Sequence, residues 1–244
     1  MKKTALSLAI SALALTASTA YGAAFQLTEQ SALTLGRAYA GVGVAGDDAS
    51  APFFNAAGMT LLPGTQIQVT AVGVSMNQEL KLTQTDRTFG GMKGYTNDGQ
   101  NKTEVLPAFY LTHQINPEWW FGLSIASPFG LSTDYGDSSS GWMYGHRGYH
   151  AKLTDIDINP SIAWKPAEWL SIGAGASLQY AKAKLGMELP FGMANLMEDG
   201  DSWAFGWNVG IMIQPIETFR LGISYRSAVK HNAEGYLNVK TSNP

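Results

Sequence analysis

The stretch Trp203–Gln214 reads WAFGWNVGIMIQ and alternates large apolar residues with small or polar ones. Such period-two alternation is typical of a β-strand whose two faces meet different surroundings. The apolar face carries no charged residue, and a charge facing lipid at mid-membrane costs about 2–4 kcal/mol. The stretch therefore predicts a strand with one face in lipid and the other in a polar lumen.

Other parts of the chain repeat this pattern. Four clear cases lie at residues 119–126, 155–164, 170–180 and 219–226, and two less regular ones lie at 65–82 and 103–115. Most of them exceed the length of about 5–6 residues usual in soluble proteins, which favours a transmembrane antiparallel β-barrel over a soluble β-sandwich. Single-chain bacterial barrels have an even number of strands, so these seven predict the first part of a longer, truncated barrel.

The connections between these strands alternate in length, which indicates the topology. Tight turns are predicted at residues 116–117, 165–168 and 214–217, and long polar or glycine-rich loops at 83–102, 128–150 and 186–201. Outer-membrane barrels combine short periplasmic turns with long external loops. We expect an aromatic girdle at the strand ends, formed by Trp119, Trp164, Trp169 and Trp203.

The composition excludes several classes of protein. Charged residues make up 14% of the 244 residues, against roughly 25% in an ordinary soluble domain. The chain has no cysteine, which excludes disulfide scaffolds, zinc-thiolate sites, iron–sulfur clusters and thiol catalysis. The net charge of −3 provides no basic surface for nucleic acid. We expect no cofactor.

The start of the chain predicts export and a segment outside the barrel. Residues 1–22 have a basic start, an apolar stretch and small residues before an expected cleavage site after Gly22, which are the features of a signal peptide. Residues 23–63 lack strand periodicity and are predicted to form a plug, here called the hatch segment. A short helix is expected at 28–40, capped by Thr28 and with Glu29 in its first turn. Residues 64–244 would form the barrel.

Several apparent site motifs have simpler explanations. Gly41–Gly46 fits G-x-G-x-x-G but neither follows a strand nor opens a helix, so a dinucleotide site is not expected. Asp155, Asp157 and Asn159 have the spacing of a calcium loop but lack its glycine and glutamate, so they are interpreted as lumen-lining residues. Their charges would be balanced across the interior by Arg220, Arg226 and Lys230.

No catalytic or metal-binding constellation is evident. His146 and His150 have i,i+4 spacing but no third ligand, so a loop pair is the simpler interpretation. There is no G-x-S-x-G elbow and no Ser/His/Asp set, so an enzymatic function is not expected.

An ordered set of short motifs resembles the FadL family of outer-membrane long-chain fatty acid transporters. The motifs that carry the resemblance run from Phe25 to Ser227: FQL at 25–27, GRAYAG at 36–41, DDA at 47–49, SPFGL at 127–131, INPS at 158–161, YAKAK at 180–184, FGWN at 205–208 and YRS at 225–227. The resemblance implies a barrel of 14 strands with a hatch in its lumen. It also implies passive uptake of fatty acids, captured at external loops and released sideways through a bent third strand.

The same resemblance assigns candidate ligand-path residues. Phe25 matches a position at the hatch tip that touches ligand, and Pro128, Phe129 and Gly130 match the bend. The predicted external loop at 188–201 matches a capture groove, with the apolar residues Leu189, Phe191, Met193, Leu196 and Met197.

The chain departs from the family pattern in two places. The hatch reads Asn55-Ala56-Ala57 where the family has Asn-Pro-Ala. A basic residue that meets the ligand carboxylate in the family aligns with Met187 here, and period-two counting places Lys182 and Lys184 on the lipid side. Specificity for carboxylates is therefore an open question at this point.

Pro107 and Pro128 add one hypothesis from the residues themselves. They lie about equally far from the 116–117 turn on the two strands of one hairpin, and neither has a backbone N–H. We expect the pair to weaken the ladder at one height and to help open the side wall; two ordinary bulges at a strand edge are the alternative.

The expected partners are long-chain fatty acids or other hydrophobic small molecules, together with outer-membrane lipid and lipopolysaccharide. The chain is expected to be a monomer in the outer membrane of a Gram-negative cell. The alternatives are uptake of aromatic or aliphatic hydrocarbons through the same fold and, from another class, a surface adhesin. A plug argues against the adhesin, because an adhesin needs no hatch.

Overall fold

The computed structural model describes residues 26–44, 46–81, 96–98, 102–135, 149–188 and 194–241. Its strands are β1 (Thr65–Met76), β2 (Glu79–Lys81), β3 (Thr96–Asp98), β4 (Lys102–Gln114), β5 (Trp119–Ala126), β6 (Gly130–Asp134), β7 (His150–Ala167), β8 (Leu170–Glu188), β9 (Ala194–Ile216), β10 (Phe219–Arg226) and β11 (Glu234–Thr241). Its helices are α1 (Ala32–Gly36), α2 (Ala51–Phe54) and the 3-10 helix η1 (Ala56–Leu61). None of the helices in these ranges has the length and apolar character needed to cross a membrane.

Nine of the strands form one antiparallel sheet. Its main path is β1-β4-β5-β7-β8-β9-β10, while β6 pairs with β7 and β11 pairs with β9. The seven strands of this path are those predicted from the sequence. The strands β2 and β3 form a separate hairpin. The helix η1 contacts β5, β7, β8 and β9, which is possible for one short helix because the sheet curves around it as part of a barrel wall.

The two faces of the wall differ as the alternation predicts. In β5, Trp120 and Ser124 are buried on the side of the hatch segment, whereas Trp119 and Phe121 are exposed on the other side. The exposed face stays apolar in β9, where Trp207 and Ile211 face outward. The outward face is thus suited to lipid and the inward face to the hatch segment.

The aromatic residues mark the two edges of this apolar face. Trp119 and Trp164 are stacked with their ring centroids 5.7 Å apart, and Trp169 lies in the β7–β8 turn. Trp203 was predicted at a strand end, but it lies within β9, with its ring centroid 5.0 Å from that of Tyr180. Its ladder partner Tyr180 lies 11 residues after Trp169 along the chain, which in a tilted strand corresponds to an apolar band on the order of 25 Å high.

The strands continue beyond this band, which corrects the predicted loop at 186–201. The β8–β9 ladder runs without a shift to Glu188↔Asn195, so Leu196 and Met197 are strand residues rather than loop residues. They also pair with β11. Charged residues near 184 and 199 led to the loop prediction. In the structure two of them form an ion pair across the ladder, with Nζ of Lys184 3.5 Å from Oδ1 of Asp199. Two turns are tighter than predicted, because β7 and β9 extend to Ala167 and Ile216, whereas the turn predicted at 116–117 spans residues 115–118.

The hatch segment begins differently from the prediction. The helix α1 starts at Ala32, with the Ser31 side chain accepting a hydrogen bond from the Thr34 amide, so Thr28 is not its cap. The segment then packs against glycines of the wall. A Cβ at Gly173 would collide with the backbone of Ala56 and Ala57, so the close approach of hatch and wall requires glycine there.

Candidate functional site

The barrel wall is interrupted on one side of β5. The β4–β5 ladder ends at Phe109↔Ile125 and β5 ends at Ala126. The chain then bends through residues 127–129, and β6 pairs with β7 alone. Over residues 102–108, β4 is therefore paired with β1 on one side and with no other described strand on the other.

A cavity of about 410 Å³ occupies this interruption, within the ~300–1,000 Å³ of pockets that hold small ligands. We call it the wall cavity. Its lining includes outward-facing residues, such as Val69 and Val105, as well as Leu27 of the hatch segment. Its other lining residues include Leu106, Pro107, Ala108, Phe109, Ile125, Phe129, Gly130, Leu131 and Ile156. The cavity is thus lined both by a residue of the hatch segment and by residues of the outward face.

The hatch segment reaches directly into the interruption. Gln26 forms an antiparallel bridge with Phe129, and the amide of Leu27 donates to the carbonyl of Pro128 at 2.8 Å. Nε2 of the buried Gln30 donates to the carbonyl of Ser127 at 2.7 Å. The bend is therefore shaped by the hatch segment and not by the strands alone.

A carboxylate holds the same bend from the lumen. The amide of Phe129 donates to Oδ1 of Asp155 at 2.9 Å. The Asp155 side chain is buried, and its Oδ2 has no hydrogen-bond partner among the described residues. A buried acceptor of this kind fixes the orientation of the Phe129 peptide.

The lumen-lining prediction for Asp157 and its counter-ion is confirmed. Nη1 of Arg226 donates to Oδ2 of Asp157 at 2.8 Å, and Nη2 donates to the carbonyl of Phe53 in the hatch segment at 2.9 Å. The Ser177 hydroxyl donates to the other carboxylate oxygen. The prediction was wrong for Arg220, which donates to the Val44 carbonyl at 2.8 Å.

The other polar residues of this prediction differ in position. Lys230 is exposed and therefore does not balance the lumen carboxylates. Asn159 is fully buried in the interior, and its Oδ1 accepts from Nδ2 of Asn208 at 3.0 Å.

The predicted bend residues all lie at the interruption. Pro128 and Phe129 contact the hatch segment, and Gly130 begins β6. A Cβ at Gly130 would lie 2.8 Å from Cδ1 of Leu27, so the absence of a side chain leaves room for the hatch segment. Pro107 lies two residues and Pro128 three residues beyond the Phe109↔Ile125 end of the β4–β5 ladder, at nearly the same height, as the hypothesis on this pair requires.

The other predicted path residues have different outcomes. Leu196 is in β9, and Met197 is half-buried there. Phe25, Leu189, Phe191 and Met193 lie outside the described residues.

The hatch motif provides the contact between hatch and wall. Oδ1 of Asn55 accepts from the Ala57 amide at 3.0 Å and caps η1, while its Nδ2 donates to the carbonyl of Gly43 at 2.8 Å. Ala56 and Ala57 are buried against the wall. An ordered turn thus forms without the proline of the family pattern.

Two charged residues of the wall cavity were not predicted. Nζ of Lys152 in β7 donates to Oε1 of Glu104 in β4 at 2.9 Å, and both line the cavity. The Glu104–Lys152 pair depends on how β4 and β7 are placed across the interruption, which sequence spacing does not encode.

Lys182 and Lys184 lie on the same outward face as Tyr180, as the period-two counting predicted, because the β8–β9 ladder has no shift.

The described residues contain no group of three or more histidine, aspartate or glutamate side chains placed to hold a metal ion. Nδ1 of His150 lies 3.5 Å from Oδ2 of Asp134. His146 lies outside the described residues.

Comparison with known proteins gives consistent similarities. The chain is 34% identical over 242 residues to a "47 kDa outer membrane protein" of Pasteurella multocida, with 92% of this chain and 54% of that protein covered. It is 30% identical over 260 residues to a "Long-chain fatty acid transport protein" of Escherichia coli O6:H1, with 96% and 56% covered. The chain thus spans about half the length of these relatives.

Solved structures share the fold. A Pseudomonas aeruginosa FadL homologue superposes with a TM-score of 0.75 at 21% identity, covering 90% of this chain and 56% of that one. The Pseudomonas putida toluene transporter TodX superposes with a TM-score of 0.60 at 15% identity, covering 78% and 57%. The model of the outer membrane protein transport protein family (OMPP1/FadL/TodX) matches residues 13–243. With a wall interrupted beside β5 and a hatch segment in its concave face, the chain belongs to this family of outer membrane proteins.

Proposed function

We propose that the protein is a passive outer-membrane importer of long-chain fatty acids, whose ligands leave the lumen sideways through the wall cavity. In this proposal ligands are captured at the outer end of the wall, where the predicted loop residues Leu189, Phe191 and Met193 and the β9 residues Leu196 and Met197 contribute apolar surface. They then pass Phe25 of the hatch segment. The bend at Pro128, Phe129 and Gly130 forms the exit. The process involves no chemical step and no cofactor.

One observation carries this proposal: the apolar wall cavity lies where residues 102–108 of β4 pair with no other described strand on the side of β6. Both hatch-side and lipid-facing residues line it, as Leu27 and Val105 illustrate. A long acyl chain gains about 0.8 kcal/mol for each CH₂ group that it keeps out of water. A route from lumen to lipid through an apolar gap therefore costs the ligand less than a route into the aqueous periplasm.

The relative named for fatty acid transport supports the choice of ligand, at 30% identity. Uptake of aromatic or aliphatic hydrocarbons is the alternative, and the mainly apolar cavity lining favours it to the same degree. In either case the protein would act as a monomer surrounded by outer-membrane lipid and lipopolysaccharide, with residues 1–22 removed during export. Within the described part of the chain, no feature favours a surface adhesin.

The test uses the full-length gene in a host without its own fatty acid importer. Leu106 and Leu131, which line the wall cavity from β4 and β6, are both replaced by cysteine and joined with a reducible bis-maleimide. These 244 residues contain no cysteine, and any cysteine elsewhere in the full-length protein is first replaced by serine so that the reagent is selective. The control pair is Lys182→Cys with Asp201→Cys, which face each other in the continuous β8–β9 ladder.

We expect the cross-link at the cavity to block uptake of labelled oleate and reduction to restore it, with the control pair unaffected. Oleate uptake that persists through the cross-link would rule out the sideways route. Labelled toluene is followed in parallel. Uptake of toluene alone would identify a hydrocarbon importer, and uptake of neither compound would return the adhesin to consideration.

A further inference from the structure

We propose that Lys152 binds the carboxylate of an acyl ligand in the wall cavity, and that Glu104 is the resident counter-ion which this carboxylate displaces. This inference rests on the proposed function and identifies the part of the ligand that the cavity recognises. It assigns a headgroup site to residues that sequence reasoning did not select.

The charges of the wall cavity are restricted to one pair. Among the described residues that line it, Glu104 and Lys152 are the only ionisable ones at neutral pH. An apolar cavity with a single ammonium group at its edge is complementary to an amphipathic anion, because the chain and the head of such a ligand need these two surroundings. A neutral hydrocarbon would leave the ammonium group paired with Glu104 alone.

The geometry allows the Lys152 ammonium to change partners. Its side chain is 38% exposed and that of Glu104 is 35% exposed, so neither is enclosed in the wall. Their strands, β7 and β4, are not hydrogen-bonded to each other, so the 2.9 Å ion pair bridges the interruption. An ion pair with partial access to water contributes little net stability, which makes its exchange inexpensive.

The displaced Glu104 has a second cation nearby on its own strand. Lys102 is two residues away on the same face of β4, and its Nζ donates to Oδ2 of Asp134 in β6 at 2.6 Å. A ligand carboxylate on Lys152 therefore leaves Glu104 beside another lysine, so its charge remains partly compensated. The incoming carboxylate replaces one acceptor by another, and the ligand chain occupies the apolar lining.

The experiment measures binding to the full-length protein in detergent micelles with two probes, oleate and its neutral methyl ester. We expect Lys152→Met to weaken oleate binding about tenfold, because a charge-assisted hydrogen bond is lost. The same variant should leave methyl oleate binding within about twofold. Glu104→Gln removes the competing carboxylate and should tighten oleate binding severalfold.

The opposite signs of these two variants separate binding from wall structure. If the ion pair only supports the wall, both variants will shift both probes in the same direction, and the inference is overturned. Lys165→Met is the matched control, because its 3.2 Å pair with Glu168 lies at the β7–β8 turn, away from the cavity. It should change neither probe.

A third variant distinguishes failure of this inference from failure of the proposed function. Leu131→Trp fills the wall cavity and should weaken binding of both probes. If it does so while Lys152→Met has no effect, the headgroup site is wrong and the route stands. If Leu131→Trp changes neither probe, the cavity is not the ligand path and the proposed function fails with the inference.

Discussion

The amide of Phe129 donates to the Asp155 carboxylate at 2.9 Å, and this bond ties the bend in the wall to the interior of the barrel. The same residue forms a bridge with Gln26 of the hatch segment. The peptide at the bend is thus held from the hatch segment and from β7 at once. Its position depends on contacts that either a ligand in the lumen or a shift of the hatch segment would disturb.

Replacing Asp155 tests this arrangement. Asp155→Ala leaves the Phe129 amide without its acceptor, and we expect its hydrogen exchange to become at least about tenfold faster, because hydrogen bonds to charged groups contribute ~1.5–3 kcal/mol. Asp155→Asn keeps an oxygen that accepts from the same amide and serves as the control, with exchange within about threefold of the parent. Equal exchange in the alanine variant would show that the bend does not depend on Asp155.

Gly130 provides a second test of the contact between bend and hatch segment. A Cβ there would lie 2.8 Å from Leu27 Cδ1, so Gly130→Val should displace Leu27 and break its 2.8 Å bond to the Pro128 carbonyl. We expect faster exchange of the Leu27 amide. Gly73→Val is the control, because the nearest atom to its Cβ is 4.0 Å away. The prediction fails if both variants exchange alike.

Arg226 links three parts of the fold, so its loss should reduce stability. Arg226→Met leaves the Asp157 carboxylate buried without its cation, and we expect the free energy of unfolding to fall by about 2–3 kcal/mol. Chemical unfolding of the full-length protein in detergent measures this change. The double variant Arg226→Met with Asp157→Asn should recover a large part of the loss, and a double variant as unstable as the single one would contradict the pairing.

The hatch segment carries a pH-dependent contact of its own. The hydrogen bond from Arg37 holds the pKa of the Asp47 carboxyl below its ordinary value. A carboxylate whose pKa is lowered in the folded protein stabilises the fold above the pKa that it has in the unfolded chain. This contribution is lost as the pH falls through the lowered pKa. The pair is partly exposed, so we expect Asp47→Asn to cost less than about 1 kcal/mol at pH 7.

The measurement compares unfolding of the Asp47→Asn variant and its parent at pH 7 and in acid. The two should converge as the pH falls through the lowered pKa of Asp47, where the parent carboxyl becomes protonated. In an Arg37→Met background the substitution should have no further effect at any pH. A difference that persists in acid would assign the contribution of Asp47 to another contact.

The sequence predicts the strands of the wall well, since the membrane enforces a two-faced pattern on each of them. It predicts their outer ends poorly, because Lys184 and Asp199 look like loop residues until their pairing across the ladder is known. At the site, Pro128 and Gly130 can be selected from the sequence, because proline lacks a backbone N–H and glycine lacks a side chain. The Phe129–Asp155 bond is not, because it joins a backbone amide to a side chain 26 residues later.

The contact between Gln30 and Ser127 also bears on the order of folding. These residues are 97 positions apart in the chain, whereas each wall ladder joins strands close in sequence. Contacts over such separations form late, because a long loop must close first. The bend therefore acquires its final shape only after the hatch segment has docked. The wall is complete at this point only when the hatch segment is correctly placed.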